Sequence, residues 1–343
     1  MTVWTDHLAH LGATLADNAL SFAAPTDEAR AATDNTIVVP LLHLGTIRSV
    51  GPDSAEFLHN LVSNDVKKLP ADGAAWNSFN SPKGRMIASF LMWSEAEGHA
   101  MVVSADILPA FLKKFSMYVL RSKVKLSDAS ADIALIGVSG TNAAAALDAA
   151  GLAVPTEAMK QTGGGDAPRC IRLNDSSFVV AVDTAAAPAL FDALQAGGAS
   201  RAGTAAWHLA MIRAGLPLIT TPTQEEFVAQ MLNYELIGGV SFHKGCYPGQ
   251  EIVARTQYLG KLKKRMYRVA IPAGAAAQPG TDLYAPDFGE QSAGKLVNVA
   301  PAADGGFEAL AVLQTSSAEV GEIHLGSVDG PRLALLDLPY ALG

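Results

Sequence analysis

Strand-forming segments in this chain follow one another directly instead of alternating singly with helices, which excludes most of the common α/β architectures at once. Residues 36–40 and 46–50 are β-branched and apolar. Asp53 then stands where a helix over residues 54–62 would be capped, with Phe57, Leu58 and Leu61 on one face. Residues 74–79 and 85–93 read as paired strands around the turn Asn80-Ser81-Pro82-Lys83-Gly84. A third strand at 99–104 and a helix over 106–118 follow, the helix carrying Leu108, Phe111, Leu112 and Phe115 at helical spacing. Strands at 124–126 and 133–138, an Ala-rich helix near 143–150, strands at 170–173 and 178–182, and a helix over 187–195 repeat the theme. The glycine-rich residues 162–168 are expected to be a flexible loop. Adjacent strands with helices between groups predict α+β sheets with helices on one face, not a doubly wound parallel sheet. Neither GxGxxG nor GxxxxGK[ST] occurs, so both nucleotide fingerprints are missing.

A helix over residues 205–214, stopped by Gly215 and Pro217, leads on from there. After Arg268 the texture changes. Residues 272–280 read as a linker, and short apolar segments at 295–299, 307–313, 322–325 and 331–336 are split by Gly, Pro and Asp. Many short strands at close spacing predict a small closed or nearly closed β-barrel. The expected division is an α+β region over 1–262 and a barrel over 263–343. Of the 343 residues, 49% are hydrophobic and 17% charged, the balance of a packed chain and not a disordered one. The opening, MTVWTDHLAHLGATLAD, places Asp6 early and lacks a basic start followed by an apolar run. It predicts an amphipathic helix instead of a secretory signal, with His7 and His10 solvated on one face. No apolar run reaches membrane-spanning length, so no membrane partner is expected. The two cysteines, Cys170 and Cys246, give neither zinc spacing nor a disulfide framework, and they are too few for an iron–sulfur cluster. No resident metal is expected, Cys170 reads as structural, and a reducing cytoplasm is the expected compartment.

Chemistry concentrates between Phe227 and Arg268. The run Lys244-Gly245-Cys246-Tyr247-Pro248-Gly249-Gln250-Glu251 forces a tight, irregular backbone through its two glycines and proline. The Gln-Glu-Ile-Val-Ala-Arg that follows predicts a helix opening at about Gly249. Cys246 would then lie near a helix N-terminus with the Lys244 ammonium two residues away, and both favour a thiolate. A small buried apolar cysteine is the competing reading. Lys244, Lys261, Lys263, Lys264, Arg255, Arg265 and Arg268 stand against one acid, Glu251, in a chain of net charge −8. Such a basic island predicts either an anionic partner or a solvated face. The acidic total argues against broad, direct nucleic-acid binding.

The motif KGCYPGQE, continued as IVAR and then YLGKLKKR, resembles the signature of the YgfZ family. These are folate-binding proteins related to the T-protein (aminomethyltransferase) of the glycine cleavage system. WHLAMIRAGLP, from Trp207 to Pro217, is similar to the family's Trp-containing helix, and residues 227–233 to its Phe-to-Gln-Asn run. SPKGR at 81–85 and LRSKV at 120–124 match the N-terminal half, so the resemblance spans residues 36–343. It implies an aminomethyltransferase-like α+β fold, two ferredoxin-like plaits and a C-terminal β-barrel around a central folate cavity. It implies tetrahydrofolate or a folate derivative as cofactor. It also implies iron–sulfur client enzymes as partners, among them the radical enzyme that methylthiolates tRNA. The family's cysteine falls on Cys246 and its folate-associated tryptophan on Trp207, while the family's first folate tryptophan has no clear counterpart. Lys244 is carried beside Cys246 as a catalytic candidate, and Arg121, Gln250, Glu251 and Arg255 as candidate folate contacts. Relatives often carry Glu where Arg213 stands. A guanidinium only donates, so it cannot accept the N–H bonds of a pterin, although it can pair with a glutamate carboxylate.

Three activities follow. In the first, a folate-binding accessory protein serves iron–sulfur enzymes through a Cys246 thiolate, with Lys244 and Arg255 lowering its pKa and Gln250 and Glu251 fixing the loop. The second, a true aminomethyltransferase, needs a carboxylate beside the folate nitrogen. T-proteins place an Asp on the strand after a Gly-rich turn, and residues 84–91 here hold no acid. The third is an interaction module without ligand, in which Trp207 is a core side chain on an apolar helix face.

Overall fold

The strand runs pair into sheets in the computed structural model, which describes residues 2–258 and 262–342. One sheet has six strands in the order Gln161–Gly164, Ala167–Arg172, Ser177–Asp183, Ile133–Ser139, Ile37–Pro40 and Ser200–Arg201. The pairings are antiparallel except the last. Side chains alternate along a strand, so Ala134, Ile136 and Val138 share a core with Phe178, Val180 and Val182 of the neighbouring strand. Helices Val3–His10, Ala143–Ala149 and Ala187–Ala196 cover that face with Trp4, Leu8, Leu147, Phe191 and Leu194. Each fully buried Leu or Phe contributes ~1.5–3 kcal/mol. On the opposite face Gly137 makes room for Trp207: a Cβ there would sit 2.5 Å from the indole ring.

A second sheet orders Ala74–Asn80, Met86–Glu95, Gly98–Ser104, Leu44–Val50 and Lys125–Asp128. Helix Leu108–Ser116 buries Leu108, Phe111 and Phe115, and Phe115 meets Phe57 of helix Ser54–His59 edge-on at 5.4 Å. From Lys264 onward the chain closes a barrel in the order Lys264–Ile271, Phe307–Gln314, Gly294–Pro301, Asp282–Tyr284, Ile323–Leu325 and Arg332–Leu336. The last strand returns to the first through Arg268↔Leu336, Val269↔Leu335 and Ala270↔Ala334. Alternate residues such as Val269, Ile271, Leu296, Ala309, Ala311 and Leu313 fill its interior, and closure leaves no open edge. The expected α+β fold with a C-terminal barrel is present.

The chain divides into two compact units. One comprises Met1–Leu58, Val66–Ala75 and Leu91–Ala210; the other comprises His59–Asp65, Trp76–Phe90 and Met211–Gly343. The barrel and the cysteine stretch belong to the second.

Several local expectations change. The glycine-rich residues 162–168 are not a loop but an edge hairpin, paired Gln161↔Ile171, Thr162↔Cys170 and Gly164↔Ala167. Glycine's weak strand preference hid it, while antiparallel pairing satisfies the backbone regardless of side chain. The helix after Asp53 ends at His59, because Val62 is drawn into a bridge with Phe79. His7 is not simply solvated: its Nε2 lies 2.9 Å from Asp192 Oδ1.

Candidate functional site

The cysteine loop is held from three directions, all within the second unit. Gly249 has φ +76, a left-handed conformation that costs glycine little. A Cβ on it would sit 2.5 Å from Ser81 O and 2.6 Å from Gly84 Cα. Gly84, at φ +72, closes the Ser81-Pro82-Lys83-Gly84 turn with its N–H on Ser81 O at 2.9 Å. Two glycines far apart in sequence thus meet backbone to backbone, and SPKG and CYPG pack as one body. Arg85 fastens the turn to the next segment: its Nη1 donates to Glu226 O, and Met86 N donates to Phe227 O at 2.8 Å.

Helix Gln250–Tyr258 starts immediately after Gly249. Its first turn is set by Gln250 N on Tyr247 O at 3.2 Å and Val253 N on Gly249 O at 3.3 Å. Buried Gln230, from the short turn Ala229–Leu232, pins the helix from the side by donating Nε2 to Val253 O at 2.6 Å.

Lys244 anchors the other end. Its side chain is buried, lies 4.9 Å from the centre of the Tyr247 ring, and donates to Val62 O at 2.6 Å and to His59 O. Burial pushes its pKa down to about 8, against an opposing pull from the Asp65 carboxylate. Asp65 itself faces His59 Nδ1 at 3.1 Å. Tyr247 is buried too, and burial pushes its hydroxyl up to about 12. Between these two buried neighbours, Cys246 is exposed. Gln250 Nε2 reaches Lys244 O at 3.5 Å, a long contact across the loop. Glu251 and Arg255 are exposed on the helix that follows.

The Lys244 ammonium gives a pH signature. Its folded pKa lies below the ordinary 10.5, so the folded chain binds fewer protons than the unfolded chain between the two values. The contribution of Lys244 to stability therefore rises as pH climbs from about 8 to about 10.5. A K244M variant lacks this gain. The difference in unfolding free energy, wild type minus variant, should grow by about 2 kcal/mol across that window in urea melts at fixed salt. A flat difference would mean that the amine is fully hydrated.

The remaining expected site residues are placed separately. Trp207, in the first unit, is 3% exposed with its ring against Gly137. Arg121, also in the first unit, is exposed in the turn after helix Leu108–Ser116, next to Leu120, which has φ +43 and is 89% exposed. Arg213, in the second unit, is tied to Glu308 on the barrel through Nε at 3.1 Å and Nη2 at 2.7 Å. The basic island is less than its linear count. Lys244 points into the protein, Arg265 pairs with Glu235, and Lys261 lies outside the described residues. Val62, Asp65 and Gln230 carry the loop, and none was an expected site residue. Gln230 lies inside the 227–233 run that resembles the family's, while Val62 and Asp65 read as an ordinary helix end.

A family model described as the GCVT N-terminal domain matches residues 12–237. The tRNA-modifying protein YgfZ of Yersinia enterocolitica is 30% identical over 295 residues, covering 85% of this chain and 88% of the relative. That of Photobacterium profundum is 30% identical over 339 residues, covering 95% and 98%. The chain belongs to the YgfZ family. Among solved structures, the glycine cleavage system aminomethyltransferase T from Bartonella henselae superposes with a TM-score of 0.74. It covers 92% of this chain and 89% of its own, at 16% identity, a likeness of fold alone. Among the described residues no helix is long and apolar enough to cross a membrane, and no group of three metal-ligating side chains gathers.

Proposed function

We propose that this YgfZ-family chain is a cytoplasmic, folate-binding accessory protein for iron–sulfur enzymes that modify tRNA, and that Cys246 is its reactive group. The contrast within KGCYPGQE carries the reading. Lys244 and Tyr247 are buried, Gly249 is locked on Gly84, and the thiol between them is exposed. A cysteine kept for packing would resemble Cys170, which is wholly buried and whose thiol burial pushes up to about 12. So much fixed backbone around one exposed sulfur suits a group that must meet a partner's cluster or an electrophile. Lys244 positions the loop through its carbonyl contacts. The relatives being tRNA-modifying proteins supports the tRNA-modifying setting.

Tetrahydrofolate, when bound, supplies one-carbon chemistry. Its pterin ring asks for hydrogen-bond acceptors, which Arg213 does not offer. The second unit does hold buried acceptors that lack donors among the described residues, Gln230 Oε1 and Glu235 Oε2, and their chemistry fits such a ring. Exposed Glu251 and Arg255, with half-buried Gln250, are the proposed polar contacts beside the cysteine. Trp207 and Arg121, in the other unit, enter only as residues to be tested by substitution.

The test is complementation of cells that lack their own YgfZ-type protein. The C246S chain should fold with unaltered stability, because an exposed side chain changes stability by at most ~0.5 kcal/mol. It should nevertheless fail to restore methylthiolated nucleosides in tRNA digests measured by mass spectrometry. Full restoration by C246S would sink the reading.

A further inference from the structure

A cleft of about 550 Å³ is walled by the turn Ala229–Leu232, the far end of helix Gln250–Tyr258 and the first barrel strand, all in the second unit. Two acceptors in its walls have no donor among the described residues. Gln230 is 2% exposed; its Nε2 is spent on Val253 O, and its Oε1 has no partner among the described residues. The Glu235 side chain is 9% exposed; its Oε1 takes Arg265, and its Oε2 has no partner among the described residues. Buried oxygens left unmet cost free energy, and a ligand that brings donors to both recovers it on binding. Arg265 already balances the Glu235 charge and Glu319 adds a second carboxylate to the lining, so the site suits N–H donors, neutral or on a guanidinium cation. Leu262 and Tyr267 line the same cleft and give it apolar wall for a flat group.

We infer that this cleft binds a small planar ligand with a guanidine-type edge, whose paired N–H groups donate to Gln230 Oε1 and Glu235 Oε2. Two sources share that edge: an alkylguanidine, and the 2-amino-4-oxopyrimidine ring of a folate. The folate source rests on the function proposed above; the alkylguanidine source does not.

The experiment is calorimetric titration of the intact chain with methylguanidine and, separately, with 5-formyltetrahydrofolate. E235Q preserves shape and keeps an oxygen for Arg265 while turning the free acceptor into a donor. Whichever ligand binds the unaltered chain should bind E235Q roughly tenfold to a hundredfold more weakly, with the melting temperature unchanged. If E235Q does not fold, Gln230→Met supplies the comparison. Binding of methylguanidine alone assigns the cleft to a free guanidine compound; binding of the folate alone assigns it to the pterin ring. Undiminished binding in either folded variant overturns the inference, and undiminished folate binding there leaves the folate reading standing. Failure of both ligands to bind the unaltered chain also overturns the inference, and C246S complementation then judges the cysteine reading by itself.

Discussion

Gly249→Ala is expected to destabilise the protein by about 3 kcal/mol and to abolish the activity that depends on Cys246. Part of the loss is conformational: alanine at φ +76 costs ~1 kcal/mol relative to glycine. The rest is contact. The new methyl would meet Ser81 O at 2.5 Å and Gly84 Cα at 2.6 Å, and both are backbone atoms that cannot rotate away. The SPKG turn must shift, and it is bonded to Glu226 and Phe227, so the shift propagates through the loop that presents the thiol. Gly274→Ala is the control. Its φ is +83 with none of the described residues within 4 Å of the added Cβ, so it should lose only ~1 kcal/mol. Denaturant midpoints of the two variants separate backbone strain from the glycine–glycine apposition. Equal losses would show that the apposition constrains nothing.

Trp207→Ala is the other large effect, expected at about 3–5 kcal/mol. The indole is 3% exposed and rests on Gly137, so truncation leaves a cavity that a rigid strand cannot close. Trp207→Phe should lose distinctly less, because a ring still fills most of the space. Gly137→Ala should also destabilise, and less so in the Trp207→Phe background, since the clash is with the outer indole atoms. Thermal melts of the four chains decide the matter. Parental stability in Trp207→Ala would place the ring outside the core.

How far the sequence reads differs from residue to residue. Glycine and proline in KGCYPGQE announce an irregular turn because their backbone preferences are intrinsic. The helix that opens at Gln250 follows the same local logic. The short, closely spaced apolar runs after Arg268, split by Gly, Pro and Asp, announce the barrel, since segment length and turn residues are local properties of the chain. Local pattern misleads where pairing overrides it, as in the Gly163-Gly164-Gly165 hairpin. The basic island misleads for another reason: counting charges along the chain cannot show that Arg265 is opposite Glu235 or that Lys244 points at Val62 O.

The sequence by itself determined the α+β class, the barrel and the position of a cysteine inside a turn that ordinary residues cannot make. These rest on backbone preference and on short-range period, which need no knowledge of distant contacts. Only the tertiary structure decided that Gly84 buttresses Gly249, that Arg213 is claimed by Glu308, and that Gln230 and Glu235 hold oxygens with no donor among the described residues. Those facts depend on which distant segments fill the same few ångströms, and packing sets that only once the whole chain has closed on itself.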